Sequence, residues 1–421
     1  MIDIEQIRRQ PEDFKDAIAA KGIPLNLEEL LQIDEQRRTV SREVNRLREQ
    51  RNRITELVAT NPDNRHVYIA ESKAVGQELA GREAELRTVE SEYARLMGLV
   101  PSIPCDGTPA GVTDEDNLEI RRVGEPARRT FKQRDHIELA TIHGMADFEG
   151  ARQAAGSRAY ALVGNGALLE LAVLRFAFDR LLAKGFIPVL PPLLVNSAAM
   201  FGTGYFPLGE DNAYELERDK LFLTGTSEVG LVSMHMSQTL ELADLPKRYI
   251  GISPCFRREA GAAGRDTKGL YRVHQFQKVE QVVFCENDPA TSEKEHFLLL
   301  QNAEEILQAL QLPYRVVAVC SGEMGLGQVR KHDIETWMPS RGAYCETHSC
   351  SSFHDFQARR LGIRYRDGRR KQFIHTLNNT AIASPRILIA LLENHQNADG
   401  SINVPAALQQ YLGGRALLEP V

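Results

Sequence analysis

Two apolar rhythms separated by a short turn constrain this chain more than any other feature. In the first, Leu30, Arg37, Val44, Arg51 and Val58 recur every seven residues, interleaved with Ile33, Val40, Leu47 and Ile54. In the second, Leu79, Leu86 and Tyr93 interleave with Val75, Arg82, Val89 and Leu96. Alternating steps of three and four put each set along one seam of a helix, as in a coiled coil. The only proline between residues 27 and 97 is Pro62, inside the turn-forming segment TNPDNRH at 60–66. The spacing predicts an antiparallel coiled-coil helical hairpin that folds back at this turn. Each leg of about 30 residues reaches roughly 45 Å at 1.5 Å per residue.

The first leg is rich in arginine (Arg37, Arg38, Arg42, Arg46, Arg48, Arg51, Arg53), the second in acid (Glu78, Glu83, Glu85, Glu90, Glu92). These charges can pair across the hairpin or simply solvate it, and a hairpin alone fits a structural coiled-coil protein equally well. Arg38, Arg42, Arg46 and Arg53, however, fall at heptad positions facing away from the seam. Outward arginines suit a phosphate backbone. The chain as a whole carries a net charge of −6, so any contact with nucleic acid has to come from a local basic patch.

A length of 421 residues, 43% of them hydrophobic, points to two soluble domains. No apolar run is long enough to span a bilayer, and the N-terminus MIDIEQIRRQPEDF carries charges where a signal peptide needs an apolar stretch. A cytoplasmic protein with no membrane association is expected. Its six cysteines form no CxxC pair, and the spacing of Cys345, His348 and Cys350 matches no common zinc motif, so reduced thiols and no zinc are expected. The Pro-, Gly- and Asp-rich segment at 100–117 reads as a linker, giving an arm at 1–108 and a second domain at 109–421. In that domain GALLELAVLRFAFDRLLAKG reads as an amphipathic helix. FIPVLPPLLV, LFLTGTSEV, YIGISPCFRREAG, LYRVHQFQKVEQVVF and AYCETHSCSSF read as strands. The fold class is α+β, an antiparallel sheet flanked by helices.

The stretch SPCFRREAGAAGRDTKGLYRVHQFQKVEQ, residues 253–281, is a strand with FRxE at its end, a glycine-rich basic loop and a second strand. It resembles motif 2 of the class II aminoacyl-tRNA synthetases. TGTSE, VHQFQKVE, ETHSCS, DFQARR and HTLNNTAIASPRILIALLENHQ resemble the seryl enzymes in particular, in the right order over almost the whole chain. The resemblance implies activation of L-serine with ATP, then transfer to tRNA(Ser), with tRNA(Sec) a further acceptor in that family. It implies that Arg257 grips the α-phosphate and the serine carboxylate, with Arg258 and Val273 beside the nucleotide. Glu259 holds the adenine side, Phe276 stacks on the ring, and Arg386 takes the γ-phosphate. Glu346 and Ser349 match positions that hold magnesium, an ion that takes hard oxygen ligands. Thr347 and His348 lie between them in the nucleotide segment. Thr226, Ser227 and Glu228 fall at the serine amino group, and Glu280, Thr380 and Asn378 at its side chain. The arm arginines Arg38, Arg42 and Arg46 fall to tRNA, and GFIPVLPP at 185–192 resembles the motif 1 segment through which such enzymes form homodimers.

The chemistry agrees with these residue types. Adenylation brings a carboxylate to a polyphosphate, so the protein's work is alignment and charge neutralisation, for which the bidentate arginine fork is suited. Taken singly, FRRE is a strand-end salt bridge, Phe276 a core aromatic and Arg386 a solvated first-turn residue; their joint occurrence reverses that reading. Three positions depart from the family pattern: Ser227 for alanine, Ala262 for serine, and Cys345 for a basic residue. The competing reading is a specialised paralogue that activates serine for inhibitor resistance or for another acceptor. The outward arginines argue against it, since adenylate chemistry has no use for an arm.

Overall fold

A computed structural model describes residues 1–260 and 268–421; Ala262 lies outside the described residues. The chain divides into two compact units, Met1–Ile103 and Pro104–Val421. Residues 104–112, linker-like in composition, belong to the second unit. The amide of Cys105 donates to the Val329 carbonyl at 2.7 Å and Ser321 donates to the Pro109 carbonyl at 2.9 Å.

In the first unit, α1 (Ile4–Arg9) and α2 (Pro11–Ala20) precede two helices of 34 residues each, α3 (Leu27–Thr60) and α4 (Arg65–Gly98). Asn26 caps α3, its side chain accepting from the amides of Glu28 and Glu29. The break falls at the 3₁₀ turn Pro62–Asn64. The seam contains Val40, Val44, Leu47, Ile54, Val75 and Leu79. Burying each such side chain contributes about 1.5–3 kcal/mol. Ion pairs flank the seam: Arg48 with Glu83 at 2.7 Å and Arg82 with Glu43 at 3.0 Å. The seam position Arg51 is exposed, whereas Arg37 stacks over Tyr93 at 4.2 Å and pairs with the buried Asp34.

The second unit is built on an eight-stranded sheet. Its strands are β1 (Leu118–Val123), β2 (Ile187–Val189), β3 (Lys247–Phe256), β4 (Gln275–Cys285), β5 (Tyr314–Ala318), β6 (Arg330–Met338), β7 (Ala343–His354) and β8 (His375–Ala383), in the spatial order β1-β5-β6-β7-β8-β4-β3-β2. Every pairing is antiparallel except that of β2 with β3, which is parallel. The helices α5 (Asn165–Ala183), α6 (Ser227–Ser233), α7 (Pro289–Ala309), α8 (Phe356–Leu361) and α9 (Arg386–His395) cover it. One face of β4 sends Val279, Val283 and Cys285 into the main core with α5, α7 and α9. The other sends Val282 and Phe284 against α6 and α8, and the same alternation leaves Phe276, Lys278 and Glu280 on that second face.

Three sequence expectations change. FIPVLPPLLV yields two short strands, because Pro191 and Pro192 supply no amide to a ladder. LFLTGTSEV keeps a strand only at Leu221–Leu223 before α6 begins. Residues 271–274 precede β4 in irregular backbone, which hands the His274 carbonyl to the Arg257 amide at 2.9 Å.

Candidate active site

Arg257 follows the last residue of β3, so its side chain leaves the sheet where the backbone stops being constrained by a ladder. Its Nε and Nη2 donate to the Gly225 carbonyl at 3.4 Å, and its guanidinium lies 5.1 Å from the centre of the Phe276 ring. Arg258 donates its amide to the Asn212 carbonyl at 3.0 Å and leaves its side chain exposed. Glu259 takes a positive φ of 53°, unusual for a residue with a Cβ, and its carboxylate pairs with Arg272 at 3.3 Å. Val273 is buried.

Arg386 opens α9 and reaches back across the sheet. Its Nη1 donates to the Glu346 carbonyl at 2.8 Å and to Oε2 of the same residue at 3.3 Å; its Nε donates to the Tyr271 carbonyl. The guanidinium also lies 4.6 Å over the Tyr271 ring. Ser384, two residues before it, is fixed by Glu170 on α5 and by the Gln277 backbone. Burial alone would raise the Glu346 carboxyl, but Arg386, Lys331 and Arg257 together hold it below its ordinary value.

Glu346 and Ser349 are three apart on β7, a spacing that a regular strand would send to opposite faces. The register with β6 shifts between them: Glu335 faces Glu346, Ile334 faces His348 and Asp333 faces Ser349. Thr347 is the extra residue of a β-bulge, which returns Ser349 to the Glu346 side. Thr347 and His348 themselves turn inward, Thr347 bonding the Thr336 hydroxyl at 2.7 Å and His348 at 2.8 Å. Burial lowers His348 to about 4. The register places Asp333 and Lys331 beside Ser349 and Ser351, and the two pair at 3.2 Å. Asp333 Oδ1 is buried without a hydrogen-bond partner among the described residues. Carboxylate, hydroxyl and unpartnered carboxylate oxygen make a hard donor set that fits magnesium carried with a polyphosphate.

A second cluster is acidic. Thr226 caps α6, accepting from the Glu228 amide, and Glu228 is buried. Gln357 donates to its Oε1 at 2.7 Å and the Tyr205 hydroxyl to its Oε2 at 3.2 Å. Burial raises Glu228 to about 7, against those donors, with the nearby Glu280 adding to the rise. Glu280 Oε2 accepts from Lys278 Nζ at 2.6 Å and from the Thr380 hydroxyl at 3.3 Å. Asn378 shares that face of β8 with Thr380. The Ser227 hydroxyl is taken up by Ser253 at 2.7 Å, inside the packing of α6 on β3.

Sequence reasoning missed Lys331, Asp333, Tyr205, Gln357 and Tyr271 as partners of this machinery. Period-two alternation from Phe276 through Lys278 to Glu280 was readable, but nothing in the sequence ties Gln357 to Glu228 across 129 positions. Cys345 packs with Leu270, Met338 and Ile389 on the side of β7 away from Glu346, and burial raises its thiol. On the arm, Arg38, Arg42, Arg46 and Arg53 are exposed. Arg38 and Arg42 pair with Glu35 of their own helix, not with the second leg.

Comparison with known proteins gives concordant results. Residues 213–395 match the family described as tRNA synthetase class II core domain (G, H, P, S and T). Residues 1–104 match the Seryl-tRNA synthetase N-terminal domain. The chain is 46% identical over 424 residues to the serine–tRNA ligase of Deinococcus radiodurans, covering 100% of both. It is 41% identical over 421 residues to that of Thermodesulfovibrio yellowstonii, covering 98% of this chain and 99% of the relative. Among solved structures, the seryl-tRNA synthetase of Pyrococcus horikoshii complexed with ATP superimposes with a TM-score of 0.90 at 38% identity over 100% of both chains. The cytoplasmic enzyme of Naegleria fowleri in complex with AMP gives 0.86 at 28% identity, covering 100% of this chain and 99% of that one.

Proposed function

The chain belongs to the serine–tRNA ligase family, the seryl branch of the class II synthetases, and on that premise we propose that it activates L-serine with ATP and transfers it to tRNA(Ser). The observation that carries the proposal is the meeting, on one sheet face, of two arginines that suit phosphates and a carboxylate pocket that suits an ammonium. A serine carboxylate oxygen attacks the α-phosphorus; the bond to the bridging oxygen breaks and pyrophosphate leaves. Arg257 neutralises charge where these anions crowd together, and Phe276 offers its ring to the adenine. Glu259, held by Arg272, lies on the base side. Arg386 takes the terminal phosphate, its guanidinium aimed by Tyr271 and by Glu346. Glu346 and Ser349, with Asp333, would hold magnesium, which when bound neutralises phosphate charge.

Glu228 and Thr226 receive the ammonium, while Glu280, Thr380 and Asn378 receive the hydroxyl. Lys278 pairs with Glu280 and fixes its carboxylate in place. Alanine offers these groups no hydroxyl and forfeits the bonds serine makes, so rejection rests on the same residues as binding. The 3′-terminal hydroxyl of tRNA then displaces AMP. Arg38, Arg42 and Arg46 grip the RNA from the arm. Among the described residues no helix is long and apolar enough to cross a membrane. We place the protein in the cytoplasm with its tRNA, as a homodimer.

Purified protein with magnesium should exchange pyrophosphate into ATP when serine is present, and far less with threonine, alanine or cysteine. Arg257→Ala should reduce this exchange by ~10²–10³-fold or more, the scale for losing a preorganised charge at the reacting centre. Equal exchange with alanine would refute the pocket assignment.

A further inference from the structure

The hairpin at 364–373 is a second basic surface that neither the arm nor the cleft accounts for. It consists of the strands Arg364–Asp367 and Arg370–Phe373. Residues 364–371 hold Arg364, Arg366, Arg369, Arg370 and Lys371 against a single acid, Asp367, in a chain whose net charge is −6. All five cations are exposed. Elsewhere the chain pairs its arginines readily, as with Arg121 and Glu304 or Arg248 and Glu295. Here Arg366, Arg369, Arg370 and Lys371 make no ion pair among the described residues. Arg366 faces Lys371 directly across the ladder and Glu241 on its other side. Arg370 faces Asp367, so two acids face the five cations and the hairpin keeps a net positive charge, with one like-charge pair, Arg366 and Lys371, that costs stability.

The surface is also held rigid. Tyr365, on the opposite side of the same strand, is buried in a cluster with Leu361, Ile363 and Ile374. Arg364 and Arg359 lie over the Phe373 ring at 4.6 and 4.9 Å. The obvious alternative is protection of a sheet edge, for which lysine and arginine are used. That explains Arg370 and Lys371, which lie on the edge strand. It does not explain Arg364 and Arg366, because their strand is the middle one of three.

We infer that this hairpin is a second contact for the phosphate backbone of tRNA, separate from the arm. The inference rests on the tRNA-charging reading. An array of arginines and lysine without base-reading groups suits phosphates, positioning the RNA without selecting sequence. Helix α8, which precedes the hairpin, carries Gln357, the residue that bonds Glu228 and Thr376.

The test uses the full chain with Arg366, Arg370 and Lys371 all changed to Gln. Serine-dependent pyrophosphate exchange should be unchanged, which also reports correct folding. Binding of total tRNA across a salt series should show a logarithmic slope shallower by up to about 0.7–0.9 for each phosphate no longer neutralised. The KM for tRNA in charging should rise about tenfold or more, at salt of roughly 150 mM where the screening length is ~8 Å. Should the triple variant lose exchange, Arg369→Gln alone, in the turn, replaces it with an expected slope change of about one. An unchanged slope and KM with intact exchange would overturn the inference, more so if the variant aggregates as an unguarded edge would. Loss of binding to vesicles of anionic lipid with tRNA affinity intact would assign the surface to a membrane and overturn it likewise. If the unmodified protein exchanges pyrophosphate but binds no tRNA, the tRNA-charging reading falls too.

Discussion

Glu228 exchanges bulk water for two neutral donors, Tyr205 and Gln357, with Glu280 close by. Those bonds recover only part of its hydration, and burial leaves its carboxyl raised to about 7. In the unfolded chain it titrates near 4.5. Between these values the folded state holds the proton more tightly, so this group's effect on stability is a loss as pH rises from about 4.5 through 7. Glu228→Gln should therefore narrow its stability gap to the parent, or overtake it, between pH 5 and pH 8 in thermal melts. With Glu228 at the serine ammonium, as proposed, serine has the opposite preference, since its ammonium calls for the carboxylate. Serine affinity of the parent should fall by up to about tenfold per unit below pH 7. In Glu228→Gln it should be weak and flat with pH. A steep pH profile surviving in that variant would remove Glu228 from the ammonium site.

At the scale of elements, we propose that the arm holds tRNA while the sheet activates serine. Replacing residues 41–94 by a short turn should leave serine-dependent pyrophosphate exchange within a few-fold of the parent, while charging of tRNA falls steeply. Exchange lost along with charging would mean that the hairpin supports the fold of the cleft. Arg38 and Arg42 are tied to Glu35, but exposed pairs of this kind are worth about 0.3–0.5 kcal/mol and open readily to a phosphate. The hairpin was legible because a heptad rhythm reports which residues meet without knowledge of anything distant. So were Phe276 and Glu280, which share one strand face. The bulge at Thr347 was not. Alternation predicts Glu346 and Ser349 on opposite faces, and only pairing with β6 reveals the inserted residue. Thr226 read as a strand residue because LFLTGTSEV is apolar at its start, yet its hydroxyl caps a helix whose other contacts are remote in sequence. Tyr271 lies in irregular backbone, where no period exists to read.

At the scale of the whole molecule, an apolar surface lies open among the described residues. Leu171, Leu174, Phe178, Val189, Leu190 and Ile252 line a depression of about 530 Å³ beside the edge strand β2, and Leu171 and Leu190 are 62% and 80% exposed. We seat the proposed homodimer on this surface because its apolar side chains adjoin an edge strand. With the proposed homodimer seated here, Leu171→Asp should shift sedimentation toward the monomer. A parent protein that already sediments as a monomer at micromolar concentration would remove the surface from dimerisation. The division between the two units has a consequence in time. All of the first unit lies in residues 1–103, whereas Arg386 closes the cleft some 280 positions later. At synthesis rates of about 5–20 residues per second, the arm leaves the ribosome roughly 15–60 s before the cleft has its last arginine. If the arm holds tRNA as proposed, the nascent chain of that interval would be a grip without a catalyst.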